Sequence, residues 1–382
     1  MDFEPSDAQA AYGERARQIA EELLAPDYQA RERAGTIGRD VRLALGAQGL
    51  IAPEIPERLG GRGTDRVTSG VVTEEIARGD FNVAYLQVVG SLVAQILAGH
   101  AHPELAEAWV PRICSGDAIV GIGLSEPHAG SDAGMPRLRA RRDADAYVLD
   151  GQKSLSFCDQ AAAAVVFART GTDEARGKGI SAFLVDLDAP GVTRERFDDL
   201  GTRAVGRGAA HFAAVRVPAG QRLGEEGRGF SQVMQGFDFS RALIGLQCIG
   251  AAQASVDETW RYVSEREAFD RPLSTFQGVS FPLAEAETLL AAARLLCRQT
   301  LWRKDNNLPH TAEAAMCKWW APKISTDIIQ ECLLLHGQLG YRTDLPLQQR
   351  LRDVMGLQVG DGTAQIMKLV IARQRVGRAL AP

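Results

Sequence analysis

Apolar residues recur at helical spacing through the first third of the chain. They switch to short runs bounded by turns in the middle and return to long helical runs near the end. Residues 8–24 carry apolar side chains three and four apart, with Ser6 or Asp7 available as a cap. Residues 40–50 predict a second helix that stops at Gly49, and 53–63 is a glycine- and proline-rich loop. Helices are also expected over 71–77, 85–97 and 103–114. The stretch 85–97 is nearly uncharged, so it is expected to be buried. Ser91 within it could face a ligand, or bond its own helix.

The period then changes. Residues 118–124, 137–142, 147–150, 163–169, 180–186 and 211–217 are rich in Val, Ile, Phe and Ala and broken by Asp-Gly, Gly-Thr and Pro-Gly turns. That spacing predicts a β-barrel or sandwich over 118–224. From Gly229 four long patterned stretches, 230–266, 283–304, 312–335 and 363–380, predict a four-helix bundle. The expected organisation is an N-terminal helical domain (1–117), a central β domain (118–224) and a C-terminal helical bundle (225–382), a mainly α fold with one β domain.

Composition narrows the function classes. With 382 residues, 45% hydrophobic and 24% charged, the chain can bury a large core over two or three domains. A net charge of -5 without a basic block gives nucleic-acid binding no electrostatic support. No apolar run is expected to approach the roughly 18 residues of a membrane helix. The start, Met1-Asp2-Phe3-Glu4, is acidic and lacks a signal-peptide core. Cys114, Cys158, Cys248, Cys297, Cys317 and Cys332 form no C-x-x-C pair and read as buried, reduced thiols of a cytoplasmic protein. His100 and His102 would diverge on a helix, and no metal site is expected.

Several short stretches could carry chemistry. Gly360-Asp361-Gly362-Thr363 is a glycine elbow with one carboxylate at the start of the last helix. It reads either as a capping turn or as a positioned base. Leu124-Ser125-Glu126-Pro127-His128-Ala129-Gly130-Ser131-Asp132 follows a predicted strand, placing hydroxyls and a glycine at its end; it is a polar loop or a ligand loop. Arg266 and Phe269 are three apart near an expected helix end and would share a face. They form either a charged helix end with an anchor or a site for pyrophosphate and a flat ring. Asp238 and Arg241 make one polar spot on an apolar helix, a local ion pair or a substrate contact. His336-Gly337-Gln338-Leu339-Gly340-Tyr341 reads as a helix C-cap.

Together these stretches resemble the acyl-CoA dehydrogenase family over essentially the whole chain. The family loop T/S-E-P-x-A-G-S-D matches residues 125–132, and G-x-K matches Gly151-Gln152-Lys153. L-G-x-x-G-x-G-F matches 223–230, R-x-x-F-x-x-P-x-x-x-F-Q matches 266–277, and H-G-x-x-G-Y matches 336–341. R-D and E-G-T-x-x-I match Arg352-Asp353 and 361–366. The resemblance implies FAD bound between the β and C-terminal domains, usually in a homotetramer. Leu124, Ser125 and Gly130 would meet the flavin side, and Ser131 the pantetheine arm. Arg266, Phe269, Gln277 and Gly337 would hold FAD across a subunit contact, and Thr363 and Gln365 its adenosine portion. Asp238, Arg241 and Gly362 would face the acyl-CoA.

This sequence departs from the family at several of those positions. The W-I-T-N-G-like stretch is Ser154-Leu155-Ser156-Phe157-Cys158-Asp159. Ser156 is taken as the counterpart of the Thr near flavin N5, with Ser154 and Phe157 as alternatives. The Gln usual before H-G-G is Leu334, and its second Gly is Gln338. The usual catalytic Glu is Asp361, and Ser240 occupies the other slot that carries the base in some relatives. Asp is shorter than Glu by roughly 1.5 Å. The resemblance therefore implies α,β-dehydrogenation of an acyl-CoA with Asp361 as base, hydride transfer to flavin N5 and an electron-transfer flavoprotein as acceptor. An Asp base resembles dehydrogenases of alicyclic substrates such as cyclohexane-1-carboxyl-CoA. Alternatives are a flavin oxidase of the same fold, nitroalkane oxidase-like or acyl-CoA oxidase, and a non-catalytic flavoprotein.

Overall fold

The computed structural model describes residues 4–377 and 379–381. The acidic start at residues 1–3 and position 378 of the expected last helix lie outside the described residues.

Six helices form the first domain. α1 (Asp7–Ile19) begins at Ser6, whose hydroxyl accepts from the Gln9 amide while the Gln9 side chain reaches back, a reciprocal capping box. A wide turn carries it on to Leu24. α2 (Tyr28–Ala34), which the pattern did not reveal, ends at Gly35 with φ 69. α3 (Arg39–Ala47) and α4 (Arg66–Gly79) follow, the latter capped by Asp65. α5 (Phe81–His100) is capped by Asp80, and α6 (Pro103–Cys114) starts with its proline. α5 corrects the expectation of no long apolar run. It is long and apolar enough to cross a membrane, yet 78% of its most apolar window is buried inside the protein. Its hydrophobicity serves a packed interior.

The central domain holds β1 (Val120–Gly123), β2 (Arg139–Asp143), β3 (Ala146–Leu155), β4 (Ala163–Arg169), β5 (Ile180–Asp186), β6 (Val192–Arg196), β7 (Gly208–Pro218) and β8 (Arg222–Leu223). They join in the order β6-β7-β3-β2-β4-β5-β8, with β1 beside β4. Among the described residues β2 and β4 pair at one position, Arg139 with Arg169. β4 is buried along its whole length, which explains its unbroken apolar sequence. β6 is mostly exposed and carries little apolar signal, so the pattern missed it.

Among the described residues the C-terminal domain has five α-helices rather than four: α7 (Gly229–Glu265), α8 (Gln277–Asp305), α9 (Thr311–Leu335), α10 (Leu347–Val359) and α11 (Ala364–Val376). α10 escaped the pattern because its buried face is a mixture of Leu347, Val354 and Leu357 with Gln349, Arg350 and Asp353. α7 crosses α4 so closely that a Cβ at Gly250 would lie 2.2 Å from the Glu74 carbonyl oxygen. One buried carboxylate joins all three domains. Asp353 on α10 accepts from Tyr28 Oη at 2.6 Å, from Asn82 Nδ2 at 3.0 Å and from the Thr202 amide of the β domain.

Candidate active site

The Asp361 turn is held from both sides. α10 ends at Val359, and Asp361 (φ 55) and Gly362 (φ 101) take backbone conformations that few side chains favour. Thr363 caps α11 by accepting from the Ile366 amide at 3.3 Å, as its sequence predicts. Lys318 from α9, buried to 1% exposure, donates to the Leu357 carbonyl at 2.5 Å and to the Gly362 carbonyl at 3.0 Å. It thereby ties down the chain before and after Asp361. Burial pulls the Lys318 ammonium down to about 8, and the Asp361 charge acts against that shift.

The Asp361 carboxylate reaches toward the β domain. Tyr85 Oη donates to Asp361 Oδ2 at 3.2 Å and lies 3.3 Å from Ser156 Oγ. The Tyr85 ring stacks on Phe157 at 6.1 Å and 27°. Burial raises the Tyr85 phenol, and the nearby Asp361 carboxylate raises it further. Arg241 and Arg207 also feel the Asp361 charge. Of the three candidates for the Thr position, Ser154 donates its amide to the Ser125 carbonyl at 2.9 Å and Phe157 is fully buried. Of the three, Ser156 is the one hydrogen-bonded to Tyr85 among the described residues, while Phe157 stacks on its ring.

The loop after β1 is fastened from beneath. Lys153, fully buried, donates to Glu126 Oε1 at 2.7 Å and to the Leu124 carbonyl at 2.9 Å. Glu126 also accepts the amides of Arg137 and Leu138. Burial pushes the Glu126 carboxyl up, but Lys153 and these amides outweigh it and leave it below the ordinary range. Burial lowers Lys153 to about 8, with Glu126 opposing. Above this anchor Ser125 is half-buried and Ser131 exposed. A Cβ on Gly130 would meet only open space.

Asp238 and Arg241 do pair, at 2.9 Å, with Thr311 Oγ1 donating to Asp238 at 2.6 Å. Arg241 is 7% exposed and its Nε has no hydrogen-bond partner. Ser240 beside it is buried and bonds the Phe237 carbonyl, so that slot offers no base. Ser91 bonds its own helix through a side chain, accepting from Gln87 Nε2 at 3.3 Å, and donates to Glu54 at 3.2 Å.

Other predicted residues are not assembled here. α7 ends at Glu265, and Arg266 is its extended C-cap, so the shared helical face expected for Arg266 and Phe269 does not exist. Phe269 sits instead at φ 54 in a turn, 88% exposed. From Arg241 to the end of α7 is roughly 36 Å at the usual helical rise. Gln277 opens α8, Gly337 (φ 57) lies beyond the C-cap His336 of α9, and Gln365 is exposed on α11.

The chemistry of the residues fits a phosphate-bearing cofactor, with the exposed Arg266 guanidinium and the half-buried Ser125 hydroxyl as donors. A cavity of about 300 Å³ opens between the β and C-terminal domains, lined by Tyr85, Gly201, Thr202, Arg207, Leu357 and Gly360. Ser156 and Asp361 contact Tyr85, one of its lining residues. Arg266 makes no ion pair among the described residues and, with the exposed Phe269, is available to an external group. The reading of the sequence missed Tyr85, Lys318 and Arg207. A tyrosine in an uncharged helix and a lone lysine in Cys317-Lys318-Trp319 were signals, since both buried polar ends require partners.

Comparison with known proteins gives the family. The N-terminal, middle and C-terminal domains of acyl-CoA dehydrogenase match residues 6–117, 121–215 and 227–375. The human mitochondrial short-chain specific acyl-CoA dehydrogenase is 39% identical over 86% of this chain and 80% of its own. Butyryl-CoA dehydrogenase from Megasphaera elsdenii superposes with a TM-score of 0.95 at 28% identity, covering 98% of this chain and all of its own. A glutaryl-CoA dehydrogenase from Mycobacterium smegmatis, solved with FADH2, superposes at 0.92 with 27% identity, covering 98% and 96%. Fold and domain order converge with these matches: the chain belongs to the acyl-CoA dehydrogenase family, FAD-dependent oxidoreductases that act on acyl-CoA.

Proposed function

We propose that the protein α,β-dehydrogenates an acyl-CoA thioester with Asp361 as the base that takes the α-proton. The observation that carries this is the Asp361 carboxylate itself, set on a glycine elbow tied by Lys318 and facing Ser156 through Tyr85. The alternative base slot is a buried serine. Bound FAD would supply the hydride acceptor, its N5. Leu124, Ser125 and Ser156 would hold the flavin ring, and Thr363 and Gln365 its adenosine. Asp361 would receive the α-proton while the turn's backbone amide polarises the thioester carbonyl. Asp238 and Arg241 would line the acyl-CoA channel, and Ser131 would meet the pantetheine arm.

The finer reading is an alicyclic acyl group such as cyclohexane-1-carboxyl, in a pathway of alicyclic acid degradation. A base one methylene short supports a substrate whose α-carbon lies close to the loop. The distance along α7 supports a second assignment. Arg266, Phe269, Gln277 and Gly337 would serve the flavin of a neighbouring subunit in a homotetramer. An electron-transfer flavoprotein would be the acceptor, and the cytoplasm the location. An anaerobic titration of the yellow protein with cyclohexane-1-carboxyl-CoA and butyryl-CoA tests this. Bleaching by the cyclic ester, with slow reoxidation in air, is expected. No bleaching by any acyl-CoA overturns the assignment, and fast reoxidation by O₂ favours an oxidase.

A further inference from the structure

We infer that Tyr85 is a positioning residue for the reaction, which aims the Asp361 carboxylate and links it to Ser156. The inference rests on Asp361 being the base. Among the described residues, the one hydrogen bond accepted by the Asp361 side chain comes from Tyr85 Oη, at 3.2 Å on Oδ2. Lys318 fixes the backbone on either side but touches only carbonyl oxygens. The elbow alone therefore leaves the direction of the carboxylate open. A glycine flanks Asp361 on each side, so neither neighbour contributes a side chain that could pack against its carboxylate.

Tyr85 is fixed by packing as well as by hydrogen bonds. It sits on α5, whose first turn is locked by the Asp80 cap, and its ring lies on the fully buried Phe157. Its single hydroxyl proton points to Asp361, so the contact with Ser156 runs the other way, with Ser156 donating to Tyr85. The result is a directed chain from Ser156 to Tyr85 to Asp361. It occupies Oδ2 and leaves Oδ1 without a hydrogen bond among the described residues, as the oxygen free to take a proton from carbon. Tyr85 neither gives nor keeps that proton. With Ser156 assigned to the flavin ring, one phenol sets the base relative to the surface on which the acceptor ring would rest. A reacting carbon must meet both within tenths of an ångström, so a loosened carboxylate costs rate rather than binding.

The test compares Tyr85→Phe, Asp361→Asn and the double variant as FAD-loaded proteins, in stopped-flow flavin reduction and in crystal structures. Tyr85→Phe keeps the ring on Phe157. It is expected to retain FAD, to slow limiting reduction by about tenfold or more and to leave KM within about twofold. Its crystal structure should show the Asp361 carboxylate turned away from Ser156 or in two positions. The double variant should be no slower than Asp361→Asn alone, because Tyr85 acts only through that carboxylate. A Tyr85→Phe protein that reduces at the parent rate with Asp361 unmoved overturns the inference, while the base assignment stands if Asp361→Asn is dead. An active Asp361→Asn overturns both.

Discussion

Lys153 Nζ lies 2.7 Å from Glu126 Oε1, and neither side chain has meaningful access to solvent. The pair connects β3 to the loop after β1, so two motifs that are separate in sequence form one device. Removing one partner leaves a buried charge uncompensated, which costs about 3–5 kcal/mol. Lys153→Met should therefore lower the melting temperature sharply and release FAD, because Leu124 and Ser125 lose their anchor. Thermal melts and the flavin-to-protein absorbance ratio check this, and adding Glu126→Gln should restore part of the loss.

Asp361→Asn should keep the fold and FAD but abolish flavin reduction by substrate. Asn tolerates the left-handed backbone at this position as well as Asp does, so the turn survives. Asp361→Glu is the sharper variant. The added methylene should crowd an α-branched cyclic acyl group and slow it, while a linear acyl-CoA loses less or gains. Stopped-flow reduction with cyclohexane-1-carboxyl-CoA and butyryl-CoA reads both. If Asp361 is only a part of the turn that caps α11, Asp361→Asn should cost about 1 kcal/mol or less and leave the rates alone.

Asp353 makes stability depend on pH in an unusual direction. Burial raises its carboxyl to about 7, while donors such as Tyr28 oppose. Between the ordinary carboxylate value and about 7 the folded chain holds a proton that the unfolded chain releases. Its contribution is thus fully present in acid and is lost as pH rises through about 7. Asp353→Asn should flatten the fall in the urea midpoint between about pH 4 and pH 8. Asp80, also raised by burial, keeps part of that slope.

Lys318 has the opposite dependence. Its folded value of about 8 lies below that of a free lysine, so the unfolded chain binds the extra proton between the two. Its contribution to stability rises with pH from about 8 upward. Lys318→Met should lose that rise and, by freeing the carbonyls at Leu357 and Gly362, loosen the Asp361 turn. Denaturation at pH 8 and pH 10 gives the first effect, and the reduction rate gives the second.

The long elements of this fold were legible because burial writes periodicity. β4 and β5 fall on their predicted residues, and α6 does too, since each packs one unbroken apolar surface. α10 and β6 were not legible. One buries Gln349, Arg350 and Asp353 through long-range partners, and the other scarcely buries anything. The site was legible where the chemistry is local, as at Gly360–Thr363, and invisible where it depends on distance in sequence. Tyr85 and Asp361 are 276 residues apart, and Lys318 lies 44 from Gly362. No window along the chain contains such pairs.

α7 carries Arg241, which feels the Asp361 charge, and ends at the C-cap Arg266, so one helix connects two distant places. If its far end serves a neighbour's flavin, the damage done by a substitution need not appear in the chain that carries it. A chain with Arg266→Ala would disable its partner's cofactor site while keeping its own base; a chain with Asp361→Asn would do the reverse. Co-expressed, the two inactive proteins should assemble into oligomers containing some intact sites. Activity would return through intragenic complementation, which a self-contained monomer could never show.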